Sequence, residues 1–234
     1  VLDGITDVLG FCGFVVLTGP VGAGKTTLMK SFAEQNAEIF RIVEVRSAIL
    51  AEEKSGSQPK LNVSQFIDAI TMDLSGKAYR GSERKLRMLE TALKKQERPV
   101  VVVCDEAHHM HSNTLRALKR LHELRYGFKR LMSIFLVGQP PLQTKLSTYD
   151  LREVRLRTEW FELLQFDLWA YLEKRKAIHL FSTDAMRKLD EMVKDNDQPL
   201  TPLRMNRIGE LAMMIAYQVG EHEIGVDILS NIKL

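Results

Sequence analysis

Residues Gly19-Pro20-Val21-Gly22-Ala23-Gly24-Lys25-Thr26 match the phosphate-loop pattern G-x-x-x-x-G-K-[ST] in full. The pattern constrains the backbone first, because such a loop works only between a buried strand and the start of a helix. Phe14-Val15-Val16-Leu17-Thr18 supplies the apolar, β-branched strand, and residues 27–35 supply the helix-forming stretch. Glycines let amide N–H groups curl around phosphate oxygens, and the helix N-terminus adds the positive end of its dipole. Lys25 can reach the β and γ phosphates, and Thr26 can offer its hydroxyl to Mg²⁺. Gly19 through Thr27 are therefore the candidate ATP-binding residues. A plain glycine turn between strand and helix would have no need of the Lys-Thr pair.

A second element turns a nucleotide binder into a candidate hydrolase. Pro99-Val100-Val101-Val102-Val103-Cys104 reads as a strand buried on both faces, and it runs into Asp105-Glu106. Acids at the carboxyl end of such a strand lie beside the phosphate loop. In that place Asp105 joins Thr26 as a Mg²⁺ ligand, and Glu106 orients and deprotonates the attacking water. Asp105-Glu106-Ala107-His108 also spells the box of a large helicase class. Those enzymes need two motor domains, and 234 residues cannot hold both with a lid.

The chain is 45% hydrophobic and 27% charged, which suits one α/β domain with a small helical appendage. A net charge of +3 permits nucleic-acid binding without arguing for it. Cys12 and Cys104 lie in or beside expected strands, with neither metal-ligand spacing nor a disulfide framework, as in a reducing compartment such as the cytoplasm. No apolar run approaches the ~18 residues of a membrane span, and the expectation is a cytoplasmic protein without a membrane partner.

Strands and helices interleave as in a parallel sheet. Strands are expected at residues 39–45, 131–137 and 160–166, and helices at 63–74, 83–95 and 113–126. Residues 52–60, with Gly56 and Pro59, read as a polar, mobile loop. Leu115, Leu118, Leu121 and Leu124 form a core-facing stripe. Beyond Asp167 the pattern is helical, at 168–177, 183–193 and 202–219. The expected architecture is an α/β domain over residues 1–167, with a five-stranded parallel sheet, and a C-terminal helical lid over 168–234.

This order of elements resembles the AAA+ family of P-loop NTPases. It is most similar to the ExeA-like branch, which includes secretion-associated ATPases and the target-selecting ATPases of transposons and Mu-like phages (the TniB, TnsC and MuB type). The resemblance covers nearly the whole chain. It is carried by Gly13 through Gly19 leading into the loop, by Asp105-Glu106-Ala107-His108, by Leu136-Val137-Gly138-Gln139-Pro140, by Leu151-Arg152 and by residues 202–207 opening a lid helix. It implies that Gln139 is the sensor that watches the γ-phosphate and the water. It also implies an arginine that reaches the neighbouring subunit's site, for which Arg152, Arg155 and Arg157 compete and Arg157 is favoured. The usual lid arginine is replaced by Leu203, so the resemblance leaves Arg204 or Arg207 for the second sensor.

His108, His109 and His111 lack a paired cysteine or acidic ligand set at metal spacing and read as loop or helix-start histidines beside the active site. In assembled relatives the segment after the strand that ends in Asp105-Glu106, and the helix before it, often face a central channel, which nominates Lys77, Arg80, Lys85, Arg116 and Lys119 as contacts to the double-stranded DNA backbone. The resulting expectation is an ATP- and Mg²⁺-dependent homo-oligomer, ring or filament, that binds DNA and recruits or directs a transposase or other protein partner. Two rivals stand beside it: an ATPase that assists assembly of a secretion or envelope machine, and a weakly hydrolysing, nucleotide-gated scaffold.

Overall fold

Five parallel strands order this chain: β1 (Phe14–Thr18), β2 (Arg41–Arg46), β3 (Val100–Asp105), β4 (Met132–Gly138) and β5 (Thr158–Glu162). They stand side by side as β2-β3-β4-β1-β5. The structure is a computed structural model that describes residues 1–46, 61–163, 166–195 and 199–232. The expected loop at 52–60 lies outside the described residues. The described chain forms two compact units, one of Val1–Gly19 with Lys25–Glu162, the other of Leu163–Leu234 with the loop tip Pro20–Gly24.

In the first unit β1, β3 and β4 are buried along nearly their whole length, as near-continuous apolar strands covered on both faces must be. Alternate side chains serve the two faces. On one side Val16, Val102, Ile134 and Leu136 join a core with α3 (Val63–Ser75), α4 (Ser82–Lys94) and α5 (Ser112–His122). On the other, α1 (Leu2–Gly10) and α2 (Lys25–Gln35) pack against β1 and β4. Phe32 of α2 is fully buried there, edge-on to Phe135 at 5.6 Å and stacked on Phe40 at 6.1 Å. The buried Ser133 hydroxyl of β4 donates to the Leu9 carbonyl at 2.6 Å, tying α1 to the sheet.

Two elements depart by four residues from their expected spans, and the helix expected over 168–177 ends earlier, at Lys174. The helix expected to reach residue 126 ends at His122, and a short hairpin, Arg125–Tyr126 against Lys129–Arg130, turns at Gly127 in the left-handed region (φ +61). Helical periodicity in the leucines continues past the point where the chain turns, because Leu124 packs on the same core from outside the helix. The last strand runs over Thr158–Glu162 rather than 160–166, since it must start as the helix α7 (Arg152–Arg155) ends, where the Thr158 hydroxyl donates to the Val154 carbonyl at 2.8 Å. α6 (Pro141–Leu146) follows β4.

The second unit has its own core, in which Leu172, Phe181, Leu189, Met205, Ile208 and Ala212 are buried. Its helices are α8 (Leu168–Lys174), α9 (Thr183–Val193), α10 (Pro202–Val219) and α11 (Val226–Ser230). Asp167, Ser182 and Thr201 cap the first three by accepting amide N–H bonds. No helix among the described residues is long and apolar enough to cross a membrane.

Phe32→Ala removes a ring that three elements share. Chemical denaturation should show a loss of about 3–5 kcal/mol of stability.

Candidate active site

Parallel register brings the ends of three adjacent strands level. Thr18 of β1 pairs with Gly138 of β4, and Cys104 of β3 pairs with Leu136 of β4. The residues that leave these strands, Gly19, Asp105 and Gln139, therefore emerge along one edge, where α2 begins with Lys25.

Lys25 is only 6% exposed, and its Nζ donates to the Gly19 carbonyl at 2.9 Å. Burial pulls its pKa below the ordinary lysine value, against the opposing pull of Glu106 and Asp105. The ammonium is thus placed where an anion replaces water around it. The Thr26 hydroxyl donates to Asp105 Oδ2 at 2.9 Å, and Asp105 Oδ1 accepts the Glu106 amide at 2.8 Å. A hydroxyl and a carboxylate in contact are the hard-oxygen donors that Mg²⁺ takes. Gly22 (φ +78) and Gly24 (φ +93) give the intervening loop its left-handed turns. A Cβ at Gly22 would come within 2.6 Å of the Leu203 Cβ and 2.9 Å of the Thr201 hydroxyl, and the Gly22 carbonyl accepts the Leu203 amide at 3.4 Å. This donor set fits a magnesium nucleotide.

Glu106 is one of three non-glycine residues with positive φ among the described residues (φ +54, ψ +36). Strain of that kind persists where the surroundings over-determine it, and here they do. A 3₁₀ turn, Ala107–His109, follows at once, and the Lys145 ammonium of α6 donates to the His108 and Met110 carbonyls. A Cβ at Gly138 would sit 2.9 Å from Leu142 Cδ2, so the glycine makes room for the α6 side chain at the strand end. The Glu106 carboxylate consequently faces Gln139, whose Nε2 donates to Oε2 at 3.5 Å.

The structure distributes the other nominated residues unevenly. Arg157 is ion-paired with Glu123 at 2.6 Å, whereas the Arg152 and Arg155 side chains are exposed and without an ion pair among the described residues. Arg204 is half-buried and donates to the Pro199 carbonyl at 3.2 Å, and Arg207 is exposed. Lys85 is largely buried between α3 and α4, bonded to Asp68 and Ser64, so it ties two helices together instead of offering a free cation. Arg116 pairs with Asp150 at 3.2 Å and Lys119 with Glu153. Lys77 and Arg80 are exposed and without an ion pair among the described residues. His111 accepts the Asn113 amide at 3.1 Å as the cap of α5. The sequence reading takes His108 as a histidine beside the site without giving it a part there, and it does not name Lys145, which holds the turn through the His108 and Met110 carbonyls.

A parallel sheet of this order, with a phosphate-type loop after β1 and paired acids after β3, defines a P-loop NTPase fold of the AAA+ type. The AAA domain family matches residues 10–146, and the chain belongs to that family. Among curated proteins it is similar to general secretion pathway protein A of Aeromonas hydrophila, 28% identical over an alignment of 227 residues that covers 91% of this chain. The chain spans 38% of the length of that relative. Among solved structures, Cdc6p of Pyrobaculum aerophilum superposes with a TM-score of 0.66 at 18% identity, covering 95% of this chain and 62% of that one. The Aeropyrum pernix ORC1 protein, solved in complex with DNA, gives 0.62 at 12% identity, covering 98% and 62%. At such identities these two likenesses concern the fold.

A left-handed backbone costs an L-residue about 1–2 kcal/mol, a cost that glycine escapes. Glu106→Gly should therefore be more stable than Glu106→Ala by about 1 kcal/mol in urea denaturation, since both lose the carboxylate and differ only in the Cβ.

Proposed function

We propose that this chain hydrolyses ATP with Mg²⁺ in an assembly whose subunits share the reaction site. The observation that carries the reading is the Thr26–Asp105 contact at 2.9 Å beside a Glu106 held in a strained backbone against Gln139. Lys25 gives up the Gly19 carbonyl for the β and γ phosphate oxygens. Thr26 and Asp105 would hold the Mg²⁺, which when bound would neutralise charge on the phosphates. Glu106 accepts a proton from the attacking water, and the Gln139 amide orients that water. Arg155, exposed and without an ion pair, is the better placed candidate for a neighbouring subunit's site. Arg157 must first leave Glu123, and at this exposure that separation costs no more than about 1 kcal/mol. Arg204 and Arg207 are the proposed second-sensor positions.

Lys25→Ala should weaken ATP binding by about 100-fold, because two charge-assisted bonds of roughly 1.5–3 kcal/mol each are lost while Gly19 regains water. Glu106→Gln should keep ATP affinity within about twofold and abolish turnover, because the amide is close in shape but accepts no proton. Calorimetric titration and phosphate release measure the two. Undiminished turnover in Glu106→Gln would remove the carboxylate from the reaction.

Two tasks for the hydrolysis have separate support. The likeness to general secretion pathway protein A over most of the chain favours an ATPase that assists assembly of a secretion or envelope machine. The exposed Lys77 and Arg80, with Arg116 and Lys119 in solvent-exchangeable pairs, favour an ATP-assembled filament or ring on the DNA backbone that directs a transposase. Binding to duplex DNA, with a slowly hydrolysed ATP analogue present, decides between them. On the DNA reading, affinity falls steeply with salt and varies little with sequence, and the Lys77→Ala, Arg80→Ala double variant lowers the log–log salt slope by about 2 per subunit contact. Absence of binding at low salt removes the DNA reading and leaves the envelope task and the weakly hydrolysing scaffold.

A further inference from the structure

The reading of Glu106 as the proton acceptor leaves the residue two places after it without a role, and the geometry gives it one. His108 stands on the 3₁₀ turn with its side chain 12% exposed, its Nε2 3.3 Å from Glu106 Oε2. Its Nδ1 accepts the backbone N–H of Gln139, at 3.5 Å. The ring packs on that of His109 at 4.1 Å between centroids, and burial with that second ring keeps its pKa below the ordinary histidine value. A neutral imidazole carries one proton. With Nδ1 taken as an acceptor by the Gln139 amide, the proton sits on Nε2, the atom that faces the carboxylate.

We infer that His108 is a positioning residue, which holds the Glu106 carboxylate through Nε2–H and fastens it to the end of β4 through Nδ1. The inference rests on the hydrolysis reading and extends it. One oxygen, Glu106 Oε2, is approached by His108 Nε2 at 3.3 Å, Gln139 Nε2 at 3.5 Å and His109 Nε2 at 4.0 Å. Because the main chain of Gln139 sets the tautomer while its side chain shares the carboxylate, any shift of the β4 end moves both supports of the base together. Hydrolysis is thereby coupled to the strand that lies between β1 and β3.

The same three side chains, Glu106, His108 and His109, bring ligand atoms within 4.8 Å of one another, and a transition metal is the competing occupant. The second contact of the ring decides against it. Metal on Nε2 would drive the proton to Nδ1, directly against the Gln139 N–H, whereas a ligating histidine turns its other nitrogen toward an acceptor.

The experiment compares wild type, His108→Ala, His108→Gln and His108→Asn by steady-state turnover and nucleotide affinity, and reads the ring by ¹⁵N shifts of histidine-labelled protein. His108→Ala should lower kcat by about 10–100-fold, the usual effect of removing such a support, with ATP affinity within about twofold. His108→Gln, whose amide N–H falls where Nε2–H stood, should recover most of the loss. His108→Asn, whose amide reaches only the Nδ1 position, should not. The resonance pattern should be that of a neutral Nε2–H tautomer. Wild-type turnover in His108→Ala, joint loss of ATP binding, or equal failure of the Gln and Asn variants would overturn the inference. So would an Nδ1–H tautomer, or stoichiometric Zn²⁺ in the purified protein that His108→Ala loses. If wild type itself does not turn over ATP, the hydrolysis reading fails, and the ¹⁵N tautomer still decides whether His108 holds Glu106.

Discussion

Thr26 and Asp105 lie 79 positions apart in sequence, yet their side chains meet at 2.9 Å. Everything at the site depends on that meeting, because a hydroxyl at the start of α2 and a carboxylate at the end of β3 reach each other only if β1 and β3 end level. Parallel pairing of each strand with β4 enforces this. Thr18 stands beside Gly138, and Cys104 beside Leu136 two residues earlier, so the three exits fall along one edge. The valine run of β3 and the apolar β4 hold that register, since a slip of one residue would exchange the side chains of both buried faces.

Within that frame the charges are set by burial as much as by proximity. Lys25 is nearly enclosed, and enclosure lowers its pKa even though two acids lie close enough to raise it. A nearly enclosed cation that donates to a backbone carbonyl is prepared for a stronger anion. The Glu106 backbone carries the opposite kind of preparation, a conformation held by the 3₁₀ turn and by Lys145 across the turn's carbonyls. Support of that kind fits the base proposed for Glu106.

The distribution of cations changes how the surface is understood. Lys85 is part of the packing between α3 and α4, and Arg116 and Lys119 bridge α5 to the acids before and within α7. Charge along a sequence does not say which cations are already matched, because the matching acids, Asp68, Asp150 and Glu153, come from other elements. The same holds for Arg157, whose partner Glu123 follows a helix more than thirty residues earlier. Arg155, in the same basic segment, is left without an ion pair among the described residues.

The phosphate-type loop, the paired acids and the parallel α/β class were legible in the residues alone, because each is a local pattern: glycines where the backbone must turn, β-branched runs where a strand is buried on both faces, a lysine and a threonine where a helix starts. The long helices at 183–193 and 202–219 were legible for the same reason, with Ser182 and Thr201 marking their starts. The end of α5 was not, since Leu124 keeps the helical spacing while reaching the core from a turn. Nor was the place of His108, which sequence grouped with its neighbours as one of three loop histidines. Only the tertiary structure separates it from His111, a helix cap, because only there does the end of β4 bring the Gln139 amide to one ring nitrogen while the turn aims the other at Glu106. Local chemistry is written in neighbouring residues, whereas the state of a side chain is decided by what distant segments press against it.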